Sequence, residues 1–529
     1  MEAEDVKPGT ISSGRSLWDL IRRRVDATPE ALLAVDELDR SLTFRAYHDR
    51  CRSLAADLAA RGVRRGDVVS WQMPTWLESL VLTGALDLLQ TVQNPILPQL
   101  RAREVGFIVA QVGASWYIHP GTWRAYDYGA LGTRLTDEAA PDLESIEITR
   151  PYLPETIGDA EPSGGRPDVR TDHWYFYTSG TTGVPKGVRH GHASVEAATS
   201  SMCRGMQIRA DDLSVLAFPF THIGGINWLM ASLMTGCSLL IVESFAAPDT
   251  MDVIARHPVT LAGVTTAFHL AYLAEQRRRG SDRPLLPCVR AYPGGAAPKP
   301  RALQQDLVDT VGGVGIVSGF GLTEFPMITM NSLDDPAEAR AVSEGRPSPG
   351  VELVVLASDG RRCRPGEDGE ICARGPHRML GYVDGSLDGS VFDDEGFFHT
   401  GDLGHLDPDG FLVVTGRLKD VIVRKGENIS AREVEELIFG HPDVADVAVV
   451  GLPDGERGEL VCAVVTVVAG RSITFDQIID HLRTLEIMPQ KMPERVVVVD
   501  ELPRNDSGKV LKSDLREHLT RDGSASGSA

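Results

Sequence analysis

The sequence predicts an α/β protein: a large body of helix-covered sheets, followed by a small α+β unit at the C-terminal end. Three observations carry that expectation. A chain of 529 residues is longer than one hydrophobic core organises, so more than one domain is expected. Short apolar runs of strand length alternate with amphipathic stretches of helical period, the pattern of parallel strands joined across helices. Past Arg417 the strand and helix signals become close-set and self-sufficient.

The elements follow in order. Ser16 is placed to cap a helix with Leu17, Leu20, Ile21 and Val25 on one face. Phe44, Tyr47, Cys51, Leu54 and Leu58 mark a second helix, which Gly62 stops. Residues 67–71, 115–118, 239–242 and 261–264 read as strands, and 76–89 as a helix. Residues 137–167, rich in Pro, Asp, Glu and Gly, read as irregular surface chain. The aromatic run 174–177 reads as a short buried strand. In the last part, residues 432–439 predict a helix, and 444–450, 460–468 and 495–499 predict strands. Thr474 and Gln477 stand at capping-box spacing before a helix with Phe475, Ile478, Ile479, Leu482 and Leu485 inward. The domains expected are therefore 1–417 and 418–522, with a Gly/Ser/Ala tail, 523–529, that has nothing to bury and is expected to be disordered.

Composition narrows the function classes. The formal charge of −21 argues against nucleic acid or an anionic membrane surface as partner. Seven cysteines are scattered without a CxxC pair, which predicts reduced thiols and no zinc site. The first residues are acidic where a signal peptide is basic, and no apolar run is long enough to span a bilayer, so a cytoplasmic location without integral membrane association is expected.

The chemistry is organised around Tyr177-Thr178-Ser179-Gly180-Thr181-Thr182-Gly183-Val184-Pro185-Lys186-Gly187-Val188. Its glycines let the backbone approach an anion, its hydroxyls donate hydrogen bonds and Lys186 supplies positive charge. The loop reads as a phosphate cradle, although its glycine-to-lysine spacing is not that of a Walker A loop. Further motifs stand at Phe218-Pro219-Phe220-Thr221-His222-Ile223-Gly224-Gly225, Tyr292-Pro293-Gly294-Gly295-Ala296-Ala297-Pro298 and Gly319-Phe320-Gly321-Leu322-Thr323-Glu324. Others follow at Phe398-His399-Thr400-Gly401-Asp402-Leu403, Thr415-Gly416-Arg417-Leu418-Lys419-Asp420, Lys425-Gly426-Glu427-Asn428-Ile429 and Leu502-Pro503-Arg504-Asn505-Asp506-Ser507-Gly508-Lys509.

In this fixed order the motifs resemble those of the adenylate-forming superfamily of acyl- and aryl-CoA ligases, peptide-synthetase adenylation domains and beetle luciferases. The resemblance runs from about Leu42 to Leu515, and the 218–225 stretch is most similar to the CoA ligases. It implies a large domain that includes a distorted β-barrel and a small mobile domain turning about a hinge at Lys419. It also implies ATP, Mg²⁺ and CoA as partners of a small carboxylic acid. On this resemblance Thr178, Ser179, Gly180, Thr181, Thr182 and Lys186 hold the phosphates. Gly295, Ala296, Ala297, Ser318, Gly319, Phe320 and Gly321 surround the adenine. Thr323 touches the α-phosphate and Glu324 holds Mg²⁺, for which one protein carboxylate suffices. Asp402 and Arg417 take the ribose, Lys509 is the catalytic lysine, and Lys425, Gly426 and Glu427 face CoA.

The acid pocket is assigned to His222, Ile223, Gly225, Gly295, Phe325 and Pro326. Gly224 and Gly294 add to the expected room, and Trp228 is an alternative cap that enforces a short acid. The absence of a carboxylate beside Pro219 counts against an amino acid. A hydrophobic monocarboxylate is therefore expected, fatty, aryl or polycyclic. The implied reaction is acyl-adenylate formation with release of pyrophosphate, then transfer to the CoA thiol with release of AMP. The alternative is loading of a carrier protein in trans, since no carrier domain follows Lys509. A catalytically silent binding protein is disfavoured by the intact Lys186, Glu324, Asp402, Arg417 and Lys509.

Overall fold

The computed structural model describes residue 11 and residues 16–151, 171–178, 185–245, 249–263, 265–281, 283–295, 299–424, 427–454, 457–485, 487–505 and 508–525. The first helix, Leu17–Ala27, begins where Ser16 accepts a hydrogen bond from the Asp19 amide. The second, Phe44–Arg61, ends at Gly62 in the left-handed conformation, as its C-terminal glycine predicts. Both pack their apolar faces on a continuous core that also buries the Leu77–Leu88 and Ile223–Thr235 helices.

Two sheets organise the larger part. One has seven strands in the spatial order Gly381–Tyr382, Lys186–His190, Trp174–Thr178, Val92–Pro95, Val68–Trp71, Trp116–His119 and Glu144–Glu147. Its far side is parallel, whereas 174–178, 186–190 and 381–382 are joined antiparallel. The sheet is covered on both faces, by the main core and by a second one containing Tyr117, Ile108 and Leu131. In the other, Leu213–Leu216, Ser238–Ile241, Leu32–Asp36 and Ser41–Thr43 lie side by side. Single-residue bridges from Ser214 to Leu261 and from Leu261 to Ala291 link it to the Tyr292–Gly294, Ile316–Leu322 and Phe325–Met330 strands.

Two further sheets follow. Glu352–Leu356, Gly369–Arg374, Phe398–Leu406 and Leu412–Arg417 form an antiparallel sheet. Among the described residues its outer strands are not paired to one another. The last sheet contains Glu427–Ser430, Val421–Arg424, Gly458–Val467 and Val444–Asp454, with Arg495–Val498 added parallel to 458–467. Past an irregularity at 444–446, side chains alternate along its longest strand. Val447 and Val449 face one core with Val434, Ile478 and Leu482, while Ala448 and Val450 face another with Leu502, Leu515 and Leu519.

The structure departs from the sequence reading in four places. Residues 137–167 contain the end of the Tyr128–Glu138 helix and the edge strand Glu144–Glu147, whose one buried residue, Ile146, gives almost no apolar signal. The stretch 261–264 pairs only at Leu261, because Gly263 turns the chain at φ 145°; Val264 lies outside the described residues. Phe475 and Leu485 are 43% and 44% exposed, since they stand at the two ends of the Phe475–Thr484 helix, beyond its buried stripe. The final helix, Lys512–Ala525, reaches into the tail expected to be disordered from 523. Leu482, fully buried in that stripe, anchors the small unit. Leu482→Ala is expected to lower its stability to urea by about 2–5 kcal/mol, read from the circular-dichroism unfolding transition.

Candidate active site

The strands on either side of the glycine- and hydroxyl-rich stretch pair antiparallel, with Thr178 and Lys186 as register partners. Ser179, Gly180, Thr181 and Thr182 lie outside the described residues, as do Ala296, Ala297, Lys425 and Gly426. The Lys186 ammonium stands 5.6 Å from the centre of the Tyr382 ring, and the Tyr382 hydroxyl donates to Glu324 Oε1 at 3.0 Å. Tyr382 is buried, and burial together with the Glu324 carboxylate raises its pKa, so it remains a donor. Lys186 and Glu324, distant in sequence, are thus joined through a tyrosine that sequence reasoning missed. An isolated tyrosine in a two-residue strand leaves no periodic trace.

The Thr323-Glu324 turn is fixed through its backbone. Glu324 O accepts from the Met379 amide at 2.9 Å, and Thr323 O accepts from His190 Nε2 at 2.7 Å. Because a carbonyl only accepts, His190 carries its proton on Nε2 and receives the Ser194 hydroxyl on Nδ1, 2.9 Å away. Burial lowers the pKa of His190 to about 4, keeping it neutral in this role. Gly319 and Gly321 allow the two strands of this hairpin to close: a Cβ on Gly321 would lie 2.2 Å from Pro326 O. Ser318 turns its hydroxyl to Lys299 and Asn331, a buried polar cluster behind the strand that Lys299 extends to Ser343 O. Phe320 is half-buried against the neighbouring antiparallel core.

The acid-pocket residues separate. His222 caps the Ile223–Thr235 helix, its Nδ1 accepting from the Gly224 amide at 3.1 Å. Burial lowers its pKa to about 4, so it presents a neutral ring, edge-on to Phe218. Gly225 does not open space: a Cβ there would lie 2.3 Å from Phe220 O, so the glycine serves the turn. Gly294 is equally enclosed, by Ile316 and Ser318. Phe325 is fully buried in the antiparallel core with Ile328 and Tyr382, not in a pocket wall; Pro326 is half-buried beside it. Ile223 and Trp228 are buried in the main core.

The strongest convergence lies at the end of the antiparallel sheet. Asp402 and Arg417 are cross-strand partners, and Arg417 Nε meets Asp402 Oδ1 at 2.7 Å. Glu370 opposes Leu403 whereas Cys372 opposes His399, so the strand carries extra chain at 400–402. This bulge re-aims Asp402. Gly401 takes φ 69°, and its amide is held by Glu370 Oε1 at 3.1 Å. Asp402 is buried, and among the described residues its Oδ2 lacks a partner. Burial raises its pKa, opposed by Arg417, Lys509 and Lys419.

Lys509 reaches this group from the small unit. Its amide donates to Asn505 Oδ1 at 2.9 Å, and the Asn505 amide donates back to Lys509 O, closing a tight turn. A Cβ on Gly508 would lie 2.9 Å from Thr265 Oγ1 and 3.0 Å from Ala267, so the loop is seated on the larger part. Burial, then Arg417, lowers the Lys509 pKa to about 8, against the pull of Asp402. Lys419, in the short turn Leu418–Asp420, is likewise lowered by burial and then Arg417. Glu427 is exposed at the start of its strand.

A buried carboxylate with one oxygen unspent among the described residues, under the charge of nearby cations, suits an anionic ligand that also bears hydroxyls. The family model described as AMP-binding enzyme matches residues 21–383, and that described as AMP-binding enzyme C-terminal domain matches residues 433–509. The chain is similar to the long-chain-fatty-acid–CoA ligase FadD13 of Mycobacterium tuberculosis, 31% identical over 95% of this chain and 98% of that one. It is 34% identical to the indoleacetate–CoA ligase of Aromatoleum aromaticum, over 91% of this chain and 94% of that one. ATP-bound MatB from Rhodopseudomonas palustris superposes with a TM-score of 0.83 at 27% identity, covering 95% of this chain and 99% of that one. The chain belongs to the AMP-binding enzyme family, in the acyl- and aryl-CoA ligase branch of the adenylate-forming superfamily. It is an AMP-forming acid–thiol ligase.

The position of Gly225 gives a direct test of its structural part. Gly225→Ala is expected to destabilise the larger part by about 1–3 kcal/mol, measured as a lower urea midpoint.

Proposed function

We propose that this ligase activates a hydrophobic monocarboxylic acid with ATP and transfers it to the thiol of CoA. The observation that carries the proposal is the buried Asp402, paired with Arg417 on the adjacent strand of the same sheet and with Oδ2 unspent among the described residues, while the charge of Lys509 in the terminal loop acts on the same carboxylate. Asp402 Oδ2 is placed to accept a ribose hydroxyl, with Arg417 holding the carboxylate in its charged form. Lys509 neutralises charge where the acid's oxygen attacks the α-phosphorus and the bond to pyrophosphate breaks. Thr178 and Lys186 sit at the base of the hairpin turn that receives the departing pyrophosphate.

Glu324 is a hard oxygen donor fixed by Tyr382, and it fits a single-carboxylate Mg²⁺ site; bound there, Mg²⁺ neutralises phosphate charge. The thiol then attacks the acyl carbon, its proton passes to solvent and AMP leaves with the bonding electrons. Turning of the small unit about Lys419 would withdraw Lys509 for this second step and present Glu427 with its neighbours to CoA. The neutral His222 and the apolar Phe218 beside it support a hydrophobic acid. The similar proteins named for fatty and aryl acids support the same class.

The test is pyrophosphate release across a panel of acids, with and without CoA. A hydrophobic acid that turns over only with CoA supports the reading. Adenylate without CoA thioester transfers the assignment to carrier loading. Lys509→Ala is expected to slow adenylate formation about a hundred- to a thousand-fold.

The protonated Lys509 is the working form, and burial makes it release its proton at about pH 8. The adenylation kcat/KM, which reports the free enzyme, is therefore expected to fall as pH rises through about 8. Lys509→Arg, always charged, should lack that limb. Tyr382→Phe removes a hydrogen bond to a charged carboxylate, a change of about 1.5–3 kcal/mol, and is expected to raise the Mg²⁺ concentration needed for half-maximal rate by about tenfold or more.

A further inference from the structure

Cys372, His399 and Glu370 present their side chains together on one face of the antiparallel sheet. Cys372 and His399 are direct cross-strand partners, and Glu370 lies two residues before Cys372 on the same strand. His399 Nδ1 is 3.4 Å from Cys372 Sγ and 2.8 Å from Glu370 Oε2. The three ligand atoms lie within 4.8 Å of one another. A tetrahedral zinc centre with its usual bond lengths separates sulfur from nitrogen by about 3.6 Å and nitrogen from oxygen by about 3.3 Å. The sulfur–nitrogen distance already fits, and the nitrogen–oxygen pair needs to open by roughly half an ångström as His399 takes the tautomer with its proton on Nε2, facing Asp393, and frees Nδ1 for the metal.

A second observation lies on the far side of the imidazole. His399 Nε2 faces Asp393 Oδ2 at 3.6 Å. A carboxylate on the distal nitrogen of a histidine fixes its ring and raises its basicity toward a metal. Cys372 is fully buried, whereas the side chains of His399 and Glu370 keep 30% and 22% of their exposure, so an ion has a way in.

We propose that Cys372, His399 Nδ1 and Glu370 Oε2 bind one divalent transition-metal ion of the zinc type, with water as fourth ligand. This site is separate from the Glu324 magnesium position and does not depend on the acid or thiol used by the enzyme. It also revises the expectation from cysteine spacing, which saw no zinc site because these ligands are brought together only by strand pairing. Burial, then Glu370 and Asp393, keeps the Cys372 thiol protonated up to about pH 12 without metal. Binding therefore breaks the S–H bond, forms a metal–sulfur bond and releases the proton to solvent. Glu370 Oε1 remains on the Gly401 amide, so the ion would brace the bulge that carries Asp402.

Cobalt reports the site without any substrate. The full chain, stripped with chelator and titrated with Co²⁺, is expected to show a near-ultraviolet thiolate-to-cobalt charge-transfer band that saturates at one equivalent and is abolished by Zn²⁺. Cys372→Ser should remove the band, and His399→Gln, at a half-exposed position, should weaken cobalt binding by about tenfold or more. Cys288→Ser, at an exposed cysteine away from the cluster, should leave it intact. Absence of the band from the native chain, or its persistence in Cys372→Ser, overturns the proposal. So does an unchanged cobalt titration in His399→Gln.

Discussion

The candidate site depends on one ion pair, a buried carboxylate against a half-buried guanidinium. Asp402 and Arg417 face each other across adjacent antiparallel strands at the point where the larger part ends and the small unit begins. A carboxylate this enclosed is stable as an anion only with a partner, and breaking such a pair from one side typically costs about 3–5 kcal/mol. Arg417 satisfies one oxygen only. The other remains unspent, and the positive potential that holds the charge comes partly from Lys509 and Lys419. The seat of the small unit on the larger one is thus electrostatically coupled to the carboxylate, and a hydroxyl-bearing anion entering there meets donors and acceptors already in place.

The same crowding sets the properties of the lysines. Lys509 and Lys419 are both lowered by burial and by Arg417, so their charges repel while Asp402 and Asp420 offset part of the cost. An incoming polyanion would relieve this repulsion and so connect its binding to the position of the terminal loop. Gly508 makes the contact possible, because a side chain there would run into Thr265 and Ala267. Asn505 completes it by closing the turn on the Lys509 amide. Nothing in the sequence reading singled out this hydrogen bond.

What the sequence made legible follows from where each signal resides. Helix caps and stops such as Ser16, Gly62 and the Thr474–Gln477 box are local and appear where their chemistry places them. The charged members of the site were legible as motifs because each sits in a short run of glycine and hydroxyl residues. The supports were not. Tyr382, His190 and Lys299 act through contacts with Glu324, Thr323 and Ser318 that exist only after distant strands pair. Glycines misled for a related reason: Gly225 and Gly294 looked like open space, yet each is there because a neighbouring backbone or side chain comes too close for a Cβ.

The bulge at 400–402 unites these points. Regular pairing would alternate the side chains of the Phe398–Leu406 strand between the two faces of the sheet. The extra residues break that alternation, let Asp402 turn toward Arg417 and leave His399 opposite Cys372. Glu370 spans the break, holding the Gly401 amide with one oxygen and His399 with the other. One irregularity therefore creates two chemically distinct clusters that share a single carboxylate as a strut. Any change at Glu370, whether by substitution or by a metal ion drawing on its second oxygen, acts on the Asp402 carboxylate through one peptide unit.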